Sequence, residues 1–149
     1  MIFVQPAYLP SVNYFKDFND NDLVYNINLG LDESDYFDET YMSNENGVFK
    51  VKVPTTNKNK SKFQRDIKID YKTNWIKSHT HSFQSAYGKF PYFIFYLDPI
   101  LNVLKTNHKF MIDLNYDLLS LFLELLNYDQ KPIKNTSCLL YTSPSPRDK

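Results

Sequence analysis

The chain has 149 residues and a mass of 17.7 kDa, which suits one domain that buries about two thirds of its surface. Seventeen basic and seventeen acidic residues cancel, so no global field draws it toward nucleic acid or an anionic membrane, and a phosphate ligand would need a local patch. A hydrophobic fraction of 42% with 17% aromatic residues excludes a disordered chain; the 12 Tyr and 12 Phe accompany abundant Lys, Asn and Ile, a coding-bias pattern that makes them weak evidence for a base-stacking platform.

Ile2, Phe3 and Val4 are an apolar run that ends at Gln5 and is stopped by Pro6, with Pro10 following. This reads as a strand over residues 2–5 feeding a stiff, extended loop. The start has no basic region and too short an apolar run for a signal peptide, and no later run approaches a membrane span. A cytoplasmic location is the expectation. Ser11 can cap a short helix over residues 11–18 with Val12, Phe15 and Phe18 facing inward, and residues 23–28 are a second strand candidate. Six acids without a base fall in residues 32–45, and seven bases with one acid in residues 50–68. Between them residues 48–53 alternate as a strand, with Phe49, Val51 and Val53 on one face and Lys50 and Lys52 on the other. The polar residues 54–64 predict a loop, followed by an alternating strand through Ile67, Ile69 and Tyr71.

The clearest helix begins at Trp75. Trp75, His79, Phe83, Ala86 and Tyr87 form one stripe of a 3.6-residue period, Thr73 or Asn74 can cap it, and Gly88 stands where a left-handed terminator belongs. Pro91 suits a helix start, and Asp98 with Pro99 predicts a break between helices over residues 91–97 and 99–106. The last helix, residues 114–126, is apolar on nearly every side and must be covered all round. No internal repeat is present. The expected fold is α/β, a small central sheet of about four to five strands with helices from the second half packed on it.

The lone cysteine, Cys138, lies in a terminal stretch whose composition breaks with the rest. Residues 138–148 read as a translated sequencing adaptor and are left out of fold reasoning. The expectation is one domain over residues 1–137, incomplete at its C-terminus, with residues 138–149 a non-native or disordered tail. On that reading some leucines of the last helix should be exposed. Without Cys138, disulfides, thiolate catalysis and cysteine metal sites fall away.

Gln5, Pro6, Tyr8, Pro10, Tyr14 and Phe15, with Trp75, His79, Ala86, Tyr87, Gly88, Pro91, Tyr92, Phe93, Tyr96, Leu114 and Asn115, resemble the WbqC-like protein family over nearly all of residues 2–128. The resemblance implies a bacterial α/β protein, longer than this chain, that handles sugar precursors in surface-polysaccharide (O-antigen) biosynthesis. The implied chemistry is a transferase step, an acyl or aminoacyl group passing to an amino sugar, with a sugar or nucleotide-sugar as the small-molecule partner. It also nominates Tyr14, Trp75, Tyr87 and Tyr92 as binding residues. Where many members carry an Arg-Asn-Arg stretch this chain has Tyr41, Met42 and Ser43, so a phosphate clamp would fall to Lys50, Lys52 or Arg65.

Residue chemistry marks the loop after the first strand as the leading site, since strand ends in α/β sheets open onto crevices. Gln5 can fix a polar ligand through its amide. Tyr8 offers a ring and a hydroxyl, or is a packing plug in a structural turn. His79, on the inward stripe, is either a general base or a core histidine bonded to a tyrosine or a main-chain carbonyl. His81 points about 200° away around the helix, so the pair is no metal clip. Lys58, Lys60, Lys62 and Arg65 form either a phosphate lid or a solvated loop. No Gly-rich phosphate loop, nucleophile elbow, zincin motif or dinucleotide fingerprint occurs, so the sequence calls for no cofactor and no metal. The rival class is a noncatalytic binding or assembly protein using the same cleft.

Overall fold

The computed structural model describes residues 2–9, 15, 18, 22–27, 29–30, 37–56, 62–90, 93–128 and 131–135. In chain order the elements are β1 (Ile2–Val4), β2 (Leu23–Asn26), β3 (Glu39–Asn44), β4 (Gly47–Lys52), a 3-10 turn (Gln64–Asp66), α1 (Trp75–Tyr87), α2 (Phe93–Leu104), α3 (Met111–Leu125) and β5 (Ile133–Asn135). The expected α/β class is correct, but the strands divide between two sheets. One is parallel, in the order β1-β2-β5, and the other is the antiparallel β3-β4 hairpin. Gly47, at φ 120°, supplies the conformation this hairpin needs at its turn.

Residues 67–71 make isolated bridges instead of the expected strand. The Ile69 amide bonds to the Lys109 carbonyl while the Asp70 amide bonds to that of Pro54, so the segment is shared between two neighbours and ladders with neither. After the helix expected over residues 114–126 comes β5, which at three residues is too short to leave a pattern in the sequence.

Two further expectations are corrected. Helix α2 runs unbroken through Pro99. The proline removes one backbone donor, yet Leu97 and Leu104 are buried on one stripe, with Phe93, Ile100 and Leu101 packed beside them, and that burial carries the helix across. Gly88 ends α1 in a right-handed conformation. Its requirement is space: a Cβ there would stand 2.5 Å from the Gln84 carbonyl oxygen. At the other end of α1 the expected cap is present, with the Asn74 side chain accepting from the Lys77 amide. Of the expected helix over residues 11–18, Phe15 and Phe18 are described; both are buried, their rings edge to face at 5.5 Å. The rest of that helix, the terminal tail and residues 57–61 lie outside the described residues.

Helix α3 explains its own apolarity by standing between two cores. Met111, Leu114 and Leu118 join Tyr8, Val53, Ile67, Trp75, Phe83 and Leu104 on one side. On the other, Ile112, Leu119 and Leu123 join Val4, Leu23 and Tyr25 of the parallel sheet. Covering therefore comes largely from within the described residues. The expected exposure of leucines is seen at Leu126, 52% exposed, while Leu114, Leu118, Leu119 and Leu123 are buried.

Tyr25 fastens the sheet to α3, its hydroxyl donating to the Ile112 carbonyl at 2.8 Å in a buried setting. Tyr25→Phe keeps the ring packing and removes this bond. It should cost about 1 kcal/mol in chemical denaturation, with the slope against denaturant unchanged.

Candidate functional site

The loop after β1 and the middle of α1 meet. Pro6 and the following residues carry the chain inward, so that Tyr8 is buried against α1, and its hydroxyl lies 2.6 Å from His79 Nδ1. His79 Nε2 lies 3.0 Å from the main-chain carbonyl of Lys52 in β4. A carbonyl only accepts, so Nε2 carries the ring proton and Nδ1 of the neutral imidazole accepts the Tyr8 proton. Trp75, one turn earlier on α1, sets its ring edge to face against His79 at 4.9 Å. One buried side chain thus ties three segments together: the loop, the hairpin and the helix.

Burial dictates the charge state of this group. It holds the His79 pKa down at about 4, against a smaller upward pull from the Lys52 carbonyl, and it pushes the Tyr8 hydroxyl well above its ordinary range. Both members are neutral near pH 7. The residue after Tyr8 carries strain: Leu9 sits at φ 49°, the left-handed region that a leucine rarely enters. Its carbonyl accepts from the Thr40 hydroxyl of β3 at 3.1 Å. The Tyr8–His79 bond on one side and this bond on the other hold the unfavourable backbone in place. A β-branched residue fits that backbone worse still. Leu9→Val should therefore lower stability by about 1–2 kcal/mol beyond the loss of one methylene, read from paired thermal unfolding of Leu9→Val and Leu9→Ala.

Leu9 forms one wall of a cleft of about 510 Å³. Thr40, Tyr41 and Met42 of β3 form a second wall, Phe83 and Tyr87 of α1 a third, and Phe93, Tyr96, Leu97 and Ile100 of α2 a fourth, with Phe90 at the α1–α2 corner. Volume and apolar lining match small-molecule sites, which run to roughly 300–1,000 Å³. Met42, Phe83 and Leu97 are buried at its inner end, whereas Tyr41, Tyr87, Phe90 and Tyr96 are exposed at its mouth.

The residues singled out in the sequence distribute unevenly around this cleft. Tyr87 lines it. Tyr8, Trp75 and His79 form the buried knot behind its Leu9 and α1 walls; Phe83, one turn beyond His79, is the link. Gln5 is exposed and does not line the cleft. Lys52 brings its main-chain carbonyl to His79, while its side chain is exposed. Arg65 stacks its guanidinium 4.6 Å from the centre of the Phe63 ring. Neither cation lines the cleft, and Lys50 stands 4.0 Å from Glu39. Tyr14 and Tyr92 lie outside the described residues.

The resemblance marked Tyr41 and Met42 only as the place of a missing cationic stretch; that they form a strand and an apolar wall was not read from the sequence. Thr40, Tyr41 and Met42 fall in the acidic run, which hid their alternation; the Asn46-Gly47 pair was the available hairpin signal. Among the described residues no group of three or more His, Cys, Asp or Glu is arranged to hold a metal ion, and no helix is long and apolar enough to cross a membrane.

An α/β chain with an aromatic cleft braced by a buried Tyr-His pair is what the fold and site define. The model of the WbqC-like protein family matches residues 5–145, a span that covers the loop, the hairpin and all three helices. The chain belongs to the WbqC-like protein family. Comparison with curated proteins and with solved structures found no match.

Proposed function

We propose that this WbqC-like protein binds a small-molecule intermediate of surface-polysaccharide or sugar-precursor biosynthesis in the cleft between Leu9, β3, α1 and α2. The observation that carries the reading is the coupling of cleft to knot. The strained Leu9 wall is held by two buried or half-buried hydrogen bonds, one of them from the Tyr8–His79 pair, and such investment in a fixed wall is what a preorganised binding site needs.

In this reading His79 is a positioning residue. Both of its nitrogens are engaged and it is 4% exposed, whereas a general base needs a lone pair within reach of the substrate proton. The transferase reading, in which His79 accepts a proton during acyl or aminoacyl transfer to an amino sugar, draws on the short Tyr8–His79 contact, which has nucleophile-to-base geometry. It requires Tyr8 to leave Nδ1 on substrate binding, because the Tyr8 hydroxyl is itself sealed from the cleft.

The biological part of the proposal is tested by mass spectrometry of surface polysaccharide from cells carrying or lacking the gene. A lost or altered sugar substituent is expected. Unchanged polysaccharide and unchanged sugar-nucleotide pools would remove it. Kinetics then separate the two roles. His79→Leu, which removes both hydrogen bonds of the knot, should weaken ligand binding several-fold through the Leu9 wall, whereas loss of a general base would leave Kd unchanged and lower turnover on the order of 100-fold or more.

A further inference from the structure

We infer that the cleft takes a soluble amphipathic small molecule by its uncharged alkyl or acyl end, leaving the polar head at a rim of exposed tyrosines. This rests on the reading of the cleft as the ligand site and names the class of ligand it admits. The argument is the order of side chains from mouth to floor. At the inner end stand Met42, Phe83 and Leu97, all buried, and the hydroxyl of Thr40 is already committed to the Leu9 carbonyl.

Among the described residues that floor offers no free donor and no cation. A phosphate or carboxylate pushed into it would shed its hydration with nothing to replace it, and a sugar ring would leave its hydroxyls unpaired. An alkyl chain loses nothing there and exchanges water for ring and methyl contacts. Met42, unbranched and polarizable, can adapt to chains of different shape. The mouth is different in kind. Tyr41, Tyr87 and Tyr96 are exposed beside the 61% exposed Phe90 ring, and tyrosine, with an apolar ring and a polar tip, suits a polar head at the water boundary. The cations that the sequence offers for a phosphate, Lys50, Lys52 and Arg65, do not line this space.

The test follows the methyl resonances of Met42, Leu97 and Ile100 in the full chain by NMR while four probes are added: octyl glucoside below its critical micelle concentration, glucose, uridine diphosphate, and phosphatidylcholine vesicles. Octyl glucoside should shift these methyls saturably and the other three should not. Phe90→Ser, a change at an exposed position that folding tolerates, should weaken octyl glucoside binding about fivefold. Shifts of the same methyls by glucose or uridine diphosphate, without a response to octyl glucoside, would overturn the apolar-end inference and leave the cleft as the ligand site. No response of these methyls to any probe would overturn both. A response to vesicles alone would assign the space to a membrane lipid and overturn the soluble ligand.

Discussion

Between pH 6.5 and about 4 the folded chain should lose about 3 kcal/mol of stability through His79. The sign follows from where the proton binds first. Burial holds the folded pKa near 4, below the ordinary 6.5 of the unfolded chain, so in that window the unfolded state carries a proton that the folded state refuses. Each pH unit descended costs up to about 1.4 kcal/mol, and the stabilisation is fully present above pH 6.5.

The groups facing the ring do not supply an alternative charge: the Tyr8 hydroxyl, the Lys52 carbonyl and the Trp75 indole are all neutral. His79→Gln retains an acceptor for Tyr8 and a donor for Lys52 but cannot titrate. Its denaturation free energy should therefore run flatter than the parent's over this window, by up to one proton in the slope. Carboxylates titrate in both proteins and cancel in the difference. Equal slopes would mean that His79 is not held neutral by burial, and the account of the knot would fail.

The reach of the sequence can be judged residue by residue. Helix α1 was legible because its period, its Asn74 cap and its inward stripe agree, and Trp75, His79 and Phe83 are indeed buried. The α/β crevice argument marked the loop after β1 as the leading site, and the structure seats that loop on α1 through Tyr8 and His79. What periodicity could not supply was hydrogen-bond completion. Nothing in the spacing says that the Lys52 carbonyl arrives at Nε2, and that third partner changes what His79 can do. The same blindness gave Pro99 a break that tertiary burial overrides. Long-range pairing of main-chain groups decides such points, and it leaves no local trace in sequence. The phosphate clamp at Lys50, Lys52 or Arg65 came from the family resemblance and not from spacing; Lys52 lies on β4 and Arg65 in the 3-10 turn against Phe63.

Asn115→Asp, a change of one amide to one carboxylate, should cost about 3–5 kcal/mol at pH 7. Asn115 on α3 is 1% exposed, and its Nδ2 donates to the Phe37 carbonyl at 2.6 Å. The aspartate would turn a donor into an acceptor facing another acceptor, and would bury a charge beside Asp38, itself buried next along the chain. Asn115→Leu, of similar volume, loses the bond without adding a charge and should cost less, about 1–3 kcal/mol.

Acid provides the discriminating measurement. The new carboxyl would have its folded pKa raised by burial, so protonation restores a donor for the Phe37 carbonyl. The gap between Asn115→Asp and the parent should then shrink from pH 7 to pH 5, while the gap for Asn115→Leu stays constant. A carboxylate gap that does not move with pH would show that residue 115 reaches solvent when charged. The consequence extends to the cleft. Phe37 and Asp38 lead directly into β3 (Glu39–Asn44), which carries Thr40, Tyr41 and Met42. Releasing Phe37 frees the start of that wall and with it the Thr40 bond that restrains Leu9. In conditions where Asn115→Leu remains folded, it should thus weaken octyl glucoside binding although residue 115 does not line the cleft. An unchanged affinity would confine the role of Asn115 to the fold.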